Sequence, residues 1–182
     1  GPEESSVAIC HGGRTEFVYP PCEQSSIEFA LERLGADSLD NCHIQMSCSR
    51  FGKPLSEVMD RILSDEGLDA FNEVCHAAAK IPDRDLGKFT AAVLYANADT
   101  SCEVCRIAES MELFEYAPGV RDTNSLGAWW LENKMDCSLP YEIDEFFDYD
   151  GYGESIVENN DGEFVEGLGF VCMEEGYTLE DV

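Results

Sequence analysis

The chain has 182 residues, with 38 Asp and Glu against 11 Lys and Arg and a formal net charge of −27. Its 44% hydrophobic and 10% aromatic content excludes the disordered class, which pairs high charge with low hydrophobicity. So few bases argue against direct binding of nucleic acid or an anionic membrane, since phosphate contacts need Lys and Arg, and point to a strongly basic partner.

In chain order, Ser6–Cys10 and Thr15–Tyr19 read as two short strands. The paired glycines Gly12 and Gly13 between them suit a hairpin turn. Ser25 or Ser26 is expected to cap a helix to Leu34, with Ile27, Ala30, Leu31 and Leu34 on one stripe and Gly35 ending it. Asn41–Ser47 alternates as a third strand, giving a ββαβ unit. A helical stretch follows. Leu55, Val58, Met59, Ile62 and Leu63 form one apolar face, and Leu68, Phe71, Val74, Cys75 and Ala78 another after Gly67. Pro82 opens a third helix with Leu86, Phe89, Val93 and Leu94 inward. Ala98–Ser101 starts a helix to about Met111, and Leu126, Trp129 and Trp130 dominate the next.

The C-terminal part mixes elements. Pro140 opens a turn or short helix to Phe147, and Asp150–Glu158 is helical despite Gly151 and Gly153. Asn159–Gly162 is a turn, followed by strands at Glu163–Glu166 and Leu168–Cys172 and a frayed tail from Met173. The expected fold class is α+β, elongated, in three consecutive subdomains: 5–52, an N-terminal ββαβ unit; 53–98, central and helical; and 99–175, C-terminal and acidic. Residues 1–4 read as a tag scar and 176–182 as a frayed end.

No metal or catalytic motif is complete. Cys102-x-x-Cys105 lacks a second half, and His11, His43 and His76 have no ligand spacing with it. Asp148-x-Asp150-x-x-Gly153 has Tyr152 and Asn159 where a calcium loop needs Asp or Asn and Glu. No cofactor, metal or catalytic residue is expected, and the chain reads as a non-enzyme. Nine cysteines at irregular spacing, with no apolar run near ~20 residues, read as reduced thiols in the cytoplasm.

The charge is uneven. Met135–Val182 holds 15 acids and no base; the first 134 residues hold 23 acids and all 11 bases. Carboxylates three or four positions apart on a helix lie roughly 5–6 Å apart, near the spacing of successive phosphates on a nucleic-acid strand. Glu28/Glu32, Glu57/Asp60, Asp65/Asp69, Asp69/Glu73, Asp144/Asp148 and Glu154/Glu158 fit that spacing. Each such pair weakens its helix by a few tenths of a kcal/mol, so several together suggest a use.

Pro140-x-x-Ile143-x-x-Phe146-Phe147-Asp148-Tyr149-Asp150-x-Tyr152-Gly153, with an acidic turn and a short terminal strand after it, resembles the C-terminal antirestriction motif of ArdA proteins. The Val7–Cys10 and Thr15–Val18 hairpin with its amphipathic helix is similar to that family's start. The nine cysteines and the tail beyond Cys172 depart from the family pattern. The resemblance implies an elongated, dimeric mimic of bent duplex DNA, carried by a phage, plasmid or conjugative element, that occupies the DNA site of a type I restriction–modification enzyme. It implies that Asp144, Glu145, Asp148, Asp150 and Glu154 supply part of the false phosphate surface; by their helical spacing, Glu158 and the earlier helix carboxylates would extend it. Phe146, Phe147, Tyr149 and Tyr152 would pack the motif or the dimer contact. An anti-CRISPR protein blocking the DNA channel of a Cas nuclease would use the same mimicry. Other classes are a calcium- or zinc-binding module and an acidic adaptor for a basic protein.

Overall fold

The computed structural model describes residues 4–182. The described chain is mixed α+β, with eight α-helices and two three-stranded antiparallel sheets. It divides into two compact units. The first holds the described residues up to Leu86 together with Ala98–Glu109; the second holds Gly87–Asn97 and Ser110–Val182.

In the first unit, β1 (Ser6–His11) and β2 (Arg14–Val18) form the expected hairpin, with Gly12 and Gly13 both at positive φ (57° and 78°). That left-handed pair matches the right-handed strand twist, which is why two glycines serve there. β3 (His43–Cys48) pairs with the other side of β1, giving the order β2-β1-β3. Val7 faces Val18 and Met46, so β1 is the central strand, with Val7 and Ile9 buried. The helix α1 (Gln24–Leu34) packs on β2 with Ile27, Ala30 and Leu34 buried. It begins earlier than the expected Ser25 or Ser26 cap, at Glu23, whose side chain makes no capping bond. Gly35 (φ 69°) ends it, with Ala36 N donating to Leu31 O at 3.0 Å.

α2 (Ser56–Glu66) and α3 (Leu68–Ala78) are separated by Gly67 alone, at φ 94°. They bury Leu55, Met59, Ile62, Leu68, Phe71 and Val74, the periodic residues of the sequence. The Arg50 guanidinium donates to Ala78 O and Ile81 O, at 2.7 and 2.6 Å, satisfying one carbonyl at the end of α3 and one just beyond it. A 3-10 turn at Asp83–Asp85 leads into α4 (Leu86–Tyr95). α5 (Ser101–Glu109) packs on α3, and the Glu66 carboxylate accepts from Ser101 N (2.8 Å) and Oγ (2.6 Å) at its N-terminus.

In the second unit the structure adds a strand that sequence patterning did not supply. β4 (Phe114–Pro118) pairs with β6 (Gly169–Met173), and β5 (Glu163–Val165) pairs with the other side of β6. β6 is buried along its whole length and is the central strand. α4, which from Gly87 onward belongs to this unit, and the helices α6 (Thr123–Asn133), α7 (Tyr141–Asp144) and α8 (Tyr149–Asn160) complete it. Ala117, Val120, Leu126, Ile156, Phe170 and Cys172 form one core cluster, with Trp129, Trp130 and Tyr152 against it.

α6 and α8 approach through glycines. A Cβ on Gly153 would stand 1.8 Å from Thr123 O, and one on Gly127 would stand 2.1 Å from Tyr149 O. Hydrogen side chains are required there because backbone meets backbone. Beyond β6 the tail is tied down: Glu174 N donates to Leu113 O at 2.7 Å, and a 3-10 turn at Leu179–Asp181 is capped reciprocally by Thr178 and Asp181. It is ordered where fraying was expected.

Candidate partner-binding surface

All thirteen carboxylates singled out from the sequence are exposed. In the first unit the reason is helix amphipathicity. Glu28 and Glu32 lie on α1 away from its Ile27, Ala30 and Leu34 stripe; Glu57, Asp60 and Asp65 lie on α2; Asp69 and Glu73 lie on α3. Glu57 is partly neutralised by Arg61, at 3.4 Å, which also reaches Asp99 at 3.4 Å.

Two of the expected one-helix pairs are corrected. Asp65 is on α2 and Asp69 on α3, because Gly67 at positive φ breaks the helix between them. Asp144 ends α7 while Asp148 caps α8, because Glu145–Phe147 turn the chain. Regular helical spacing applies to neither pair. α8 carries a longer row instead: Asp150, Glu154 and Glu158 follow at steps of four residues, about 6 Å along the axis.

Three of the four carboxylates of the 144–150 segment, Asp144, Asp148 and Asp150, are held by hydroxyl or amide donors. Asp148 Oδ1 accepts from Gly151 N at 2.9 Å, an N-cap. Asp144 accepts from the Tyr149 hydroxyl, and that bond to a carboxylate pushes the phenol pKa up. Asp150 accepts from the Thr123 hydroxyl, delivered from the first turn of α6 across the glycine contact. Sequence reasoning missed Thr123, since 27 residues of chain separate it from its partner.

The motif aromatics divide. Phe147 packs edgewise on Tyr149 and Tyr152, at centroid distances of 4.8 and 5.9 Å, and Tyr152 reaches the core cluster. Phe146 points outward at 79% exposure. Met135, Tyr141 and Ile143 are likewise exposed, Tyr141 at 91%, so the acidic segment also presents apolar surface.

Lys134, the last base in the chain, bridges two acids. Its Nζ lies 2.6 Å from Glu115 and 3.6 Å from Glu174. The Glu115 bond is the main cause of a raised Lys134 pKa. Burial pushes Glu115 up, but hydrogen bonds to Glu174 and Lys134 outweigh it and hold the carboxyl below its usual range. Glu174, bonded to Glu115 and partly buried, is pushed up.

All nine cysteines are free thiols. Burial pushes Cys75 and Cys172 up to about 12. Cys102 is exposed and Cys105 half-buried on α5, and among the described residues no group of three or more His, Cys, Asp or Glu could hold a metal ion. No helix among them is long and apolar enough to cross a membrane. In comparisons with known proteins, no family model matches the chain, and no curated protein matches it significantly.

Proposed function

We propose that the protein is a non-enzymatic, cytoplasmic DNA mimic that occupies the DNA-binding site of a host defence nuclease, first a type I restriction–modification enzyme. The observation that carries this reading is the α8 row with its neighbours. Asp150, Glu154 and Glu158 repeat at a near-phosphate step, and Asp144 and Asp148 continue the acid on the same unit. No Lys or Arg follows Lys134 to oppose them. Donors fix Asp144, Asp148 and Asp150, so the charges stand preorganised, as phosphates do on a backbone.

The resemblance of Pro140–Gly153 to the antirestriction motif supports the choice of target. The exposed Tyr141, Ile143 and Phe146 suit a homodimer contact beside the acids. The elongated, three-part form belongs to the same proposal. The test is competition. A type I methyltransferase core complex is titrated with the protein, with and without prebound duplex DNA, at several salt concentrations. Mutual exclusion with DNA and a steep fall of affinity with salt are expected. A ternary complex with specific duplex would refute mimicry.

A further inference from the structure

The C-terminal tail builds a groove that a phosphate mimic does not need. Residues Met173–Glu180 fold back beside Asn159–Asp161 and, with Tyr95, line an open groove of about 530 Å³. Its apolar walls are Tyr95, Met173, Tyr177 and Leu179; Tyr177 is 49% and Leu179 41% exposed. Its rim carries Asp161, Glu174, Glu175 and Glu180, and no Lys or Arg lines it. Glu174 is engaged by Lys134 at 3.6 Å. Asp161, Glu175 and Glu180 form no ion pair among the described residues.

The groove is held in shape from below. The Tyr95 hydroxyl donates to Asp161 O at 2.8 Å, and Tyr177 N donates to Glu174 O at 3.1 Å. Asp181 and Thr178 cap the final turn, so Leu179 and Glu180 sit on a fixed support. Three unpaired carboxylates around an aromatic and aliphatic floor complement a cation carried on an apolar stem. Arginine fits best, because its guanidinium can stack on the exposed Tyr177 ring while its donors reach the rim acids. The volume takes two or three side chains, not one ion.

We infer that this groove is a docking site for an arginine-bearing amphipathic segment of a basic partner protein, with the arginine on the Asp161, Glu175 and Glu180 rim and a neighbouring aliphatic side chain against Leu179 and Tyr177. The inference needs a basic partner but not DNA mimicry, because duplex phosphates offer no apolar counterpart to the floor.

The test titrates the isotope-labelled full chain with the peptide acetyl-Leu-Arg-Leu-Arg-amide, followed by amide shifts. Saturable shifts centred on Asp161 and Gly176–Glu180 are expected. Glu175→Gln with Glu180→Gln should weaken the peptide roughly fivefold, from two exposed ionic contacts. Leu179→Ala should weaken it about threefold without altering the binding of tetra-arginine. Shifts spread over all the acidic helices, or equal affinity for both peptides in parent and Leu179→Ala, would overturn the site. Either result is independent of the DNA-competition titration, which decides mimicry alone.

Discussion

Replacing Gly153 by Ala isolates the contact that aligns the acidic helix. The new methyl would lie 1.8 Å from Thr123 O, 2.6 Å from its carbonyl carbon and 2.9 Å from its Cα, whereas ordinary contact begins at 3.4 Å. All three atoms are main chain and cannot rotate away. α6 and α8 must separate by about 1.5 Å, and a gap of that size forfeits much of the dispersion energy between packed faces. Leu126, Ile156 and Phe170 lose their close fit in consequence. Overpacking typically costs about 1–3 kcal/mol and more where only main chain can give way, so roughly 3–5 kcal/mol is expected here, while Ala gains about 1 kcal/mol over Gly in a helix interior. The net loss is about 2–4 kcal/mol, or a fall in Tm of roughly 5–15 °C for a chain of this size. The internal control is Gly151→Ala, whose methyl meets the Asp148 side-chain end at 2.3 Å. That carboxylate can swing aside, losing a cap of about 1 kcal/mol against a similar helix gain, so little change is expected. Both variants are read by thermal unfolding followed by circular dichroism. A Gly153→Ala protein melting within 2 °C of the parent would refute the backbone-contact reasoning.

Further outcomes follow from other contacts. Asp144, Asp148 and Asp150 replaced together by Asn should keep the fold, because Asn caps α8 as Asp does, yet weaken the methyltransferase complex roughly tenfold to a hundredfold; unchanged affinity in a folded variant moves the binding face elsewhere. Glu66→Ala orphans the buried Ser101 hydroxyl and its amide, and should cost about 1–2 kcal/mol in urea unfolding, while no loss would show that solvent replaces both bonds. Lys134→Met leaves Glu115 facing Glu174 uncompensated. Since the Glu174 pKa is raised in the fold, its protonation favours the native state, so the variant should regain stability as pH falls from 8 through the raised Glu174 pKa. The loss at pH 8 should be on the order of 1 kcal/mol, both groups being partly solvated; an equal loss at a pH below the raised Glu174 pKa would show that charge is not the cause. At pH 8 a thiol-reactive reagent should label Cys102 and Cys137 promptly and Cys75 and Cys172 only after denaturation, since a thiol held near 12 is about one part in ten thousand thiolate. Mass mapping of the labelled native chain checks this.

Much of the architecture was legible in residue order, because local chemistry dictates it. The Gly12-Gly13 hairpin, the Ile27–Leu34 stripe, the α2 and α3 faces and the β5–β6 pair each rest on turn residues or a periodicity that acts within a dozen positions. β4 was not legible. Phe114-Glu-Tyr-Ala alternates, but so short a run becomes a strand only because β6, more than fifty residues later, supplies its ladder. The order of the tail was missed for the same reason: its anchor is Leu113 O, a distant main-chain atom.

The site divides along the same line. Sequence alone determined the surplus of acid, its base-free stretch and the exposure of its carboxylates, since charged residues opposite an apolar stripe have nowhere else to go. Only the tertiary structure decided which of them share a helix, because one positive-φ glycine parts Asp65 from Asp69 and a turn parts Asp144 from Asp148. It alone brought Thr123 to Asp150 and folded the tail into a groove, since both depend on contacts between segments far apart in the chain.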